Sequence, residues 1–374
     1  MKMKTVVTWF FAALALFVGA SCNPQELPGG TVTVLLSSGL PQTRGAAEIA
    51  DGQEIKFNAG VPDLVLLLFN SSGTLVAKYP DGEHAELMTE PVATASDMMI
   101  RITNALDGSI IPQDTYSIYD IANTAGLWSL TDGVNTISEG SFTNSSITTK
   151  TQADALYFTP LFAAETTPKP HLALRTSPNS ILPLTAKGSV SVNANGNGTA
   201  ELIMQRCAAQ VVVKFVNNYT EELTLQNFDV TFKNLNTSTG YLFQHSPTDI
   251  PAGILYADLV HSETPVTLED NTNPSNDVFE LSALVFPGVA PPPGEVYTCD
   301  ISFDVAQVGS STLDPVRHFS FSDLPVHNNR GEDITALSRN QKLTITVTIS
   351  QGQMLSFSFE VGDWDTLTES VTFD

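Results

Sequence analysis

The sequence predicts an all-β fold made of antiparallel β-sandwiches. Apolar and polar residues alternate with period two in several short runs, which is the pattern of a strand with one buried face. Clusters of Ser, Asn, Asp, Pro and Gly separate these runs and are typical of turns. Patterns with helical spacing are few and weak. Short strands separated in this way favour sandwiches over folds that rely on helices.

The first two strands are predicted in the N-terminal part of the chain. Thr31–Ser37 alternates and places Val32, Val34 and Leu36 on one face. Asp63–Asn70 is nearly all apolar, so we predict a strand that is buried on both faces. The first strand therefore needs a core on one side only, whereas the second needs cover on both.

The next segments contain one further strand and two candidate helices. Tyr116–Ala122 alternates and places Asp120 on the same face as two apolar residues. Ala95–Leu106 and Leu127–Ser138 show weak helical spacing. These two stretches are the only helices that we predict.

Three more runs predict strands in the C-terminal part of the chain. Gln210–Val216 is rich in β-branched residues, and Leu343–Ile349 alternates between apolar residues and Thr. Met354–Val361 also alternates. Its apolar face consists of Leu355, Phe357, Phe359 and Val361. The last two runs are close in sequence and are expected to form a hairpin.

Length predicts two domains. The chain has 374 residues, and about 150 residues is a usual domain size. Several prolines occur in Glu165–Pro183, between two halves that are rich in strands. We therefore predict an N-terminal domain at 45–184 and a C-terminal domain at 185–374.

The composition excludes one large class of partners. The chain has 17 Lys and Arg against 40 Asp and Glu, a formal net charge of -23. So little basic surface cannot neutralise phosphates, so nucleic acids are excluded as partners. A hydrophobic content of 42% also argues against a disordered chain.

The first residues resemble the signal sequence of a bacterial lipoprotein. Lys2 and Lys4 precede an apolar stretch, Val6–Val18, and small residues then lead to Cys22. The stretch is too short to span a bilayer, so residues 1–21 are interpreted as a signal peptide. A Cys in this position resembles the lipobox, in which the Cys is lipidated and becomes the new N-terminus. An ordinary secretory signal followed by an incidental Cys remains the alternative.

No motif in the sequence indicates catalysis, a metal ion or a cofactor, so we predict that the protein is not an enzyme. The six His have no ligand spacing, and the phosphate-loop, dinucleotide and nucleophile-elbow motifs are missing. The loop Asp270–Asp277 is rich in oxygen atoms and could bind Ca²⁺, but it lacks the EF-hand spacing, and a plain polar loop is favoured. Cys207 and Cys299 are either two buried thiols or one disulfide.

Several segments together resemble one protein family. The first contains an alternating strand followed by Arg44 and Gly45 in a turn-rich stretch. The matching segments are 31–45, 115–123, 201–214, 228–243, 338–347 and 361–364. In this order they resemble the fimbrillin family, the lipoprotein-derived type V pilins. The chain departs from the family pattern at Gln210, where Lys is usual, and at Leu343, where Tyr is usual.

The resemblance implies two transthyretin-like β-sandwich domains, delivery to the cell outer membrane as a lipoprotein, and assembly into a surface fimbria for adhesion. It also implies that an arginine-specific protease cuts between Arg44 and Gly45, which makes residues 22–44 a propeptide. Thr31–Ser37 would then be a placeholder strand. A strand from the next subunit would replace it by donor-strand exchange and build a head-to-tail polymer.

The resemblance places the donor strand near the C-terminus. The candidate donor residues are Leu355, Phe357, Phe359, Val361, Val371 and Phe373. No cofactor is implied. The expected partners are other pilin subunits, the protease, and host or bacterial surface ligands. The alternative is a lipoprotein that stays uncleaved at the outer membrane, as a fimbrial anchor or a glycan-binding surface protein.

Overall fold

The structure of the protein is a computed structural model. It describes residues 30–37, 64–88, 97–122, 128–131, 136–137, 147–160, 183–243, 246, 248–251, 254, 256–263, 265–272, 278–291, 294–307, 316–328, 330–350 and 354–363. In this described part the fold is built almost entirely from strands, as the sequence predicts. None of its helices has the length and the apolar content that a membrane crossing needs.

Strands in the first half of the chain are named in chain order. They are β1 (Val32–Ser37), β2 (Leu64–Phe69), β3 (Leu75–Tyr79), β4 (Ala85–Met88), β5 (Asp97–Ile102), β6 (Asp114–Ala122), β7 (Trp128–Thr131), β8 (Thr136–Ile137), β9 (Tyr157–Pro160), β10 (Leu184–Val192), β11 (Gly198–Ile203) and β12 (Gln205–Arg206). A short helix, α1 (Lys150–Asp154), lies between β8 and β9.

The second half continues with the same numbering. Its strands are β13 (Ala209–Asn218), β14 (Leu223–Asn236), β15 (Gly240–Tyr241), β16 (Tyr256–Glu263), β17 (Val266–Leu268), β18 (Val278–Val285), β19 (Gly288–Val289), β20 (Thr298–Gln307), β21 (Arg317–Pro325), β22 (Ala336–Leu337), β23 (Gln341–Ser350) and β24 (Met354–Asp363).

The first sandwich consists of two sheets with the strand orders β11-β1-β5-β4 and β12-β10-β6-β2-β3. Strand β2 explains how this sandwich meets the rest of the molecule, since all six of its residues are buried. Leu66 and Leu68 face the first core, while Leu67 and Phe69 face a second apolar cluster behind the sheet. The prediction of a strand buried on both faces is therefore confirmed.

Asp120 on β6 also lies where the alternation predicts, on the face of Tyr116 and Ile118 that forms the first core. It is opposite Leu66 and Ala186, which belong to that core. Neither carboxyl oxygen has a hydrogen-bond partner among the described residues. Burial away from water raises the pKa of Asp120 well above its ordinary value, because the charged form is not stabilised there.

The second sandwich has the sheet orders β18-β13-β23-β24 and β16-β14-β20-β21, with β17 added beside β14. The core of this sandwich is formed by the side chains on one face of each inner strand, as the alternating pattern of β23 predicts. The predicted hairpin is confirmed, because β23 and β24 pair antiparallel along their whole length. Among the described strand pairs, only β1 with β11 and β13 with β23 run parallel.

A third apolar cluster joins the two sandwiches. It combines residues of β2 and β6 with Phe158, Leu242 and Phe286. Tyr119 and Phe243 make an edge-to-face contact inside it, with ring centroids 4.7 Å apart. The small sheet β15-β9-β7-β8 lies at this junction and supplies Phe158 to the cluster.

The chain passes from the first core to the second at a later residue than the sequence predicts. Strands β10 and β11 pair with strands of the first sandwich, and β12 pairs with β10. The second sandwich begins with β13 at Ala209. The change therefore falls between Arg206 and Ala209, and not at the predicted boundary of 184 and 185.

Both helix predictions are wrong for the residues that the structure describes. Ala95–Leu106 contains β5, whose Ile100 and Ile102 alternate into the first core. Leu127–Ser138 contains β7 and β8. Helix α1 was not predicted, although Thr149 and Gln152 form a capping box at its start, which is a recognisable sequence signal.

Candidate functional site

Strand β1 is an inner strand of the first sandwich. It pairs parallel with β11 on one side, from Val32 opposite Gly198 to Ser37 opposite Ile203. On the other side it pairs antiparallel with β5, and Val34 lies opposite Ile100. A short segment close to the N-terminus therefore completes a sheet whose other strands come from much later in the chain.

The apolar face of β1 is completely enclosed. Val32, Val34 and Leu36 each have 0% of their surface exposed and belong to the first core. The alternate residues, Thr33 and Leu35, are half-buried on the outer face. The predicted inward-facing residues are thus the ones that the core takes up, because the pleat sends successive side chains to opposite faces.

Both ends of β1 are held by the chain around β11. The backbone N–H of Thr31 donates to Oδ1 of Asn197 (2.9 Å). The N–H of Gly198 donates to the carbonyl oxygen of Thr31 (3.1 Å), and that of Met204 donates to the carbonyl oxygen of Ser37 (2.8 Å). The ladder between β1 and β11 therefore extends beyond the strand at each end.

The candidate donor residues of β24 lie in the other sandwich. Strand β24 is at the edge of its sheet, where Leu355, Phe357, Phe359 and Val361 pack against the second core but stay only half-buried. Phe357 makes an edge-to-face contact with Phe321 of β21, with centroids 4.8 Å apart. Within one chain these residues and β1 belong to different cores.

Five predicted site residues cannot be placed in this picture. Cys22, Arg44, Gly45, Val371 and Phe373 all lie outside the described residues. Their proposed roles in lipidation, processing and donation therefore stay predictions from the sequence.

The junction between the sandwiches contains polar residues whose importance the sequence did not reveal. Arg339 precedes β23 and donates from Nη1 to the carbonyl oxygen of Leu242 (2.7 Å) and from Nη2 to that of Gln205 (2.9 Å). Nearby, Arg206 donates from Nη1 to Oδ1 of Asn340 (3.2 Å). Both arginines lie in segments that resemble the family, but the hydrogen bonds that join these two segments are non-local and have no sequence signal.

Cys207 and Cys299 lie inside the folded chain as thiols. Cys207 and Cys299 are both free and buried, so they form no disulfide with each other. Burial raises the pKa of Cys299 to about 12.

The oxygen-rich loop predicted as a possible Ca²⁺ site begins at Asp270. The carboxylate of Asp270 accepts hydrogen bonds from Thr272, which lower the pKa of Asp270. Among the described residues, no cluster of three His, Cys, Asp or Glu side chains could hold a metal ion.

Comparisons with known proteins give similarities in structure. No protein-family model matches the chain, and no curated protein matches it. A proposed cell adhesion protein from Bacteroides eggerthii is similar at 12% identity and a TM-score of 0.49, over 90% of this chain and 97% of that one. A C-terminally truncated tip fimbrial protein from Porphyromonas gingivalis is similar at 12% identity and a TM-score of 0.46, over 90% and 99%.

A fimbrial assembly protein from Parabacteroides distasonis is also similar, at 12% identity and a TM-score of 0.43, over 89% of this chain and 97% of that one. Fimbrial proteins are thus among the solved structures that the chain is similar to. At this level of similarity, its function has to be inferred from its own residues.

Proposed function

We propose that this chain is the precursor of a structural subunit of a surface fimbria used for adhesion, and that its first strand is exchanged for a strand of a neighbouring subunit. The observation that carries the proposal is the position of β1. It is an inner strand with three fully buried side chains, yet it lies N-terminal to Arg44 in the sequence. A cut after Arg44 would therefore separate β1 covalently from all the other strands.

The energetics support exchange after such a cut. Val32, Val34 and Leu36 would each lose about 1.5–3 kcal/mol of hydrophobic stabilisation if β1 left. The sum is comparable to the whole stability of a domain, roughly 5–15 kcal/mol. Departure of β1 would also leave β5 and β11 with unpaired edges, which associate with other strands unless they are covered.

A strand from a second copy could supply what β1 supplies. It would restore the ladder hydrogen bonds to β5 and β11 and refill the apolar positions, which is donor-strand complementation. A contact of this kind is head-to-tail and does not close on itself, so repetition builds a filament.

The C-terminus is the proposed source of the donor strand. Strand β24 is at a sheet edge, and its apolar residues are half-buried, whereas those of β1 are completely enclosed. An edge strand has one ladder to break instead of two. Val371 and Phe373 continue the apolar pattern beyond β24 and are the second candidate.

Export and processing complete the proposal. Cys22 would be lipidated after removal of residues 1–21 and would carry the precursor to the outer membrane. An arginine-specific protease would then cut between Arg44 and Gly45. Arg44 is the only Arg or Lys between Cys22 and Lys56, in a turn-rich stretch of the type where cleavage concentrates.

Processing can be tested on fibres sheared from the cell surface. Mass spectrometry should find subunits that begin at Gly45. Arg44→Ala should leave a longer, monomeric form, whereas Lys56→Ala should polymerise normally. Fibres whose subunits begin at Cys22 would contradict the proposal and favour an uncleaved lipoprotein at the outer membrane.

Lipidation can be tested separately. Cys22→Ala should abolish metabolic labelling with fatty acid and reduce the amount of protein at the cell surface. Cys207→Ala is the matched control, because this thiol is buried and should carry no lipid. Equal labelling of the wild-type chain and the Cys22→Ala variant would refute lipidation at this residue.

A further inference from the structure

Gly30 lies two residues before β1 and packs against another part of the chain. A Cβ atom built on Gly30 would lie 2.6 Å from the Cα atom of Gly196 and 2.7 Å from the carbonyl oxygen of Asn195. It would also lie 2.8 Å from Cγ2 of Ile110. All three distances are shorter than carbon contacts permit, so the space at Gly30 has no room for a side chain.

The wall opposite Gly30 is a fixed turn between β10 and β11. Asn193 donates from its backbone N–H to the carbonyl oxygen of Asn197 (2.9 Å), and Gly196 donates to the carbonyl oxygen of Asn193 (3.0 Å). The side chain of Asn193 also accepts from the backbone N–H groups of Asn195 and Asn197. Two of the three atoms that exclude a Cβ belong to this backbone and cannot move away as a flexible side chain could.

The same turn is joined to β1 by hydrogen bonds. Asn197 accepts from the backbone N–H of Thr31, and Gly198 donates to the carbonyl oxygen of Thr31. A strand that replaces β1 and makes these bonds at the position of Thr31 therefore has its neighbouring residue, at the position of Gly30, pressed against the turn. Pairing then fixes where the residue at the position of Gly30 lies, and a small shift of the strand cannot relieve the close contact.

We propose that the groove filled by β1 begins with a glycine subsite, formed by Asn195, Gly196 and Ile110, that admits only glycine or the end of a strand. The proposal rests on the proposed function, in which another strand replaces β1. It adds a selection rule at one defined position. If a strand continues beyond the position of Thr31, its residue at the position of Gly30 can only be glycine.

The rule restricts the candidate donors of this chain. If Leu355 took the position of Val32 and the donor ran in the direction of β1, Gln353 would fall at the glycine subsite. With Val371 in that position, Glu369 would fall there. A donor from the C-terminus meets the rule when its last residue lies at the position of Thr31, so that no residue occupies the subsite; such a donor runs in the opposite direction to β1.

Peptide binding to the processed protein tests the rule. The chain from Cys22 is cut after Arg44, a single cut is verified by mass spectrometry, and exchange of β1 for a fluorescent peptide is followed by anisotropy. Four peptides are compared: residues 30–37, the same peptide with Gly30→Ala, the same peptide with Thr33→Ala, and the acetylated peptide of residues 31–37. Thr33 is the matched control because it faces outward.

We expect the peptides of residues 30–37 and 31–37 and the Thr33→Ala control to bind with similar affinity. The Gly30→Ala peptide should bind about tenfold to a hundredfold more weakly, the effect expected for forcing a methyl group into a filled site. Equal binding of the Gly30→Ala peptide would overturn the glycine subsite and leave the proposed function standing. Binding of none of the peptides would overturn both, because no vacated groove would then accept a strand.

The uncut chain provides a second measurement that does not depend on exchange. Gly30→Ala should lower the urea midpoint of unfolding, whereas Thr33→Ala should leave it nearly unchanged. An unchanged midpoint for Gly30→Ala would overturn the subsite, since the close contact would then carry no constraint.

Discussion

Arg339 donates a hydrogen bond from Nη2 to Oγ1 of Thr185 (2.6 Å), and so links the turn before β23 to a strand of the first sandwich. Thr185 in turn donates to the carbonyl oxygen of Leu242 (2.7 Å), which Arg339 also contacts. The three groups form a closed set of hydrogen bonds at the junction. The two sandwiches are therefore joined by directional contacts as well as by the apolar cluster.

Removing the guanidinium should weaken this junction. We expect Arg339→Met to lower the free energy of unfolding by about 1–3 kcal/mol, because it leaves buried acceptors without their donor. Chemical denaturation measures the effect. Arg330→Met is the control, since Arg330 is exposed in a turn and should change stability by less than about 0.5 kcal/mol. Equal effects of the two variants would contradict the role of Arg339.

Adjacent leucines of β1 provide a matched pair for the first core. Leu36→Ala should cost about 2–5 kcal/mol of unfolding free energy in the uncut chain, because Leu36 is fully buried. Leu35→Ala removes the same atoms from the half-buried outer face and should cost clearly less. Urea denaturation compares them. A larger loss for Leu35→Ala would mean that β1 is inserted with its other face inward.

Asp120 should make the first sandwich lose stability as pH rises. Its pKa is raised in the folded state, so the folded protein holds a proton that the unfolded chain releases above its ordinary pKa of 3.8. Between that value and the folded pKa, the carboxyl group costs about 1.4 kcal/mol of stability per pH unit. Asp120→Asn has no such proton, so its stability relative to the wild type should increase from pH 4 to pH 7.

Urea midpoints at several pH values measure this difference. Glu83→Gln is the control for replacing a carboxylate by its amide, because Glu83 is exposed in a turn. A constant difference between Asp120→Asn and the wild type across the pH range would show that Asp120 is not held in its neutral form.

The two buried thiols should be unreactive in the folded chain. Burial raises the pKa of both Cys207 and Cys299, and only the thiolate reacts with alkylating agents. Mass spectrometry after iodoacetamide treatment at pH 8 should find neither residue modified, and both modified in denaturant. Ser72→Cys supplies an exposed thiol as the positive control. Failure to label either Cys in denaturant without reductant would indicate a disulfide.

The C-terminal residues should matter for polymerisation and not for folding. We expect Val371→Asp combined with Phe373→Asp to leave the precursor folded but to block elongation after cleavage, because a charged side chain cannot fill an apolar position of the groove. Ser370→Asp combined with Thr372→Asp is the control on the opposite face of the same alternating segment. Fibre length is measured by electron microscopy. Normal fibres from the first variant would place the donor elsewhere.

Local patterns predicted the strands where one periodicity dominates. The alternation of β1, β23 and β24 and the apolar run of β2 were sufficient to predict these strands. In such runs the order of apolar and polar residues directly indicates whether one face or both faces are buried. The stretch Ala95–Leu106, for which the sequence predicts a helix, instead contains β5. Its Met and Ile residues fit both periodicities, and pairing with β1 and β4 decides between them.

Non-local features could not be predicted in this way. The segment after 184 follows a proline-rich stretch and was assigned to the second domain, yet β10 and β11 return to the first sandwich. Nothing in a single segment indicates which distant strand it pairs with. The glycine subsite was missed for the same reason, because the contact of Gly30 with Gly196 exists only once β11 lies beside β1.

The pairing of β1 with β11 has a consequence for the kinetics of folding. Thr31 and Asn197 are separated by 166 residues, so a loop of that length must close before the first sheet is complete. Contacts of such high order form slowly. During synthesis from the N-terminus, β1 has to wait for the whole first sandwich to emerge before it finds its parallel neighbour. Strand β1, which we propose is exchanged after cleavage, is thus one of the last strands to pair with its neighbour during folding.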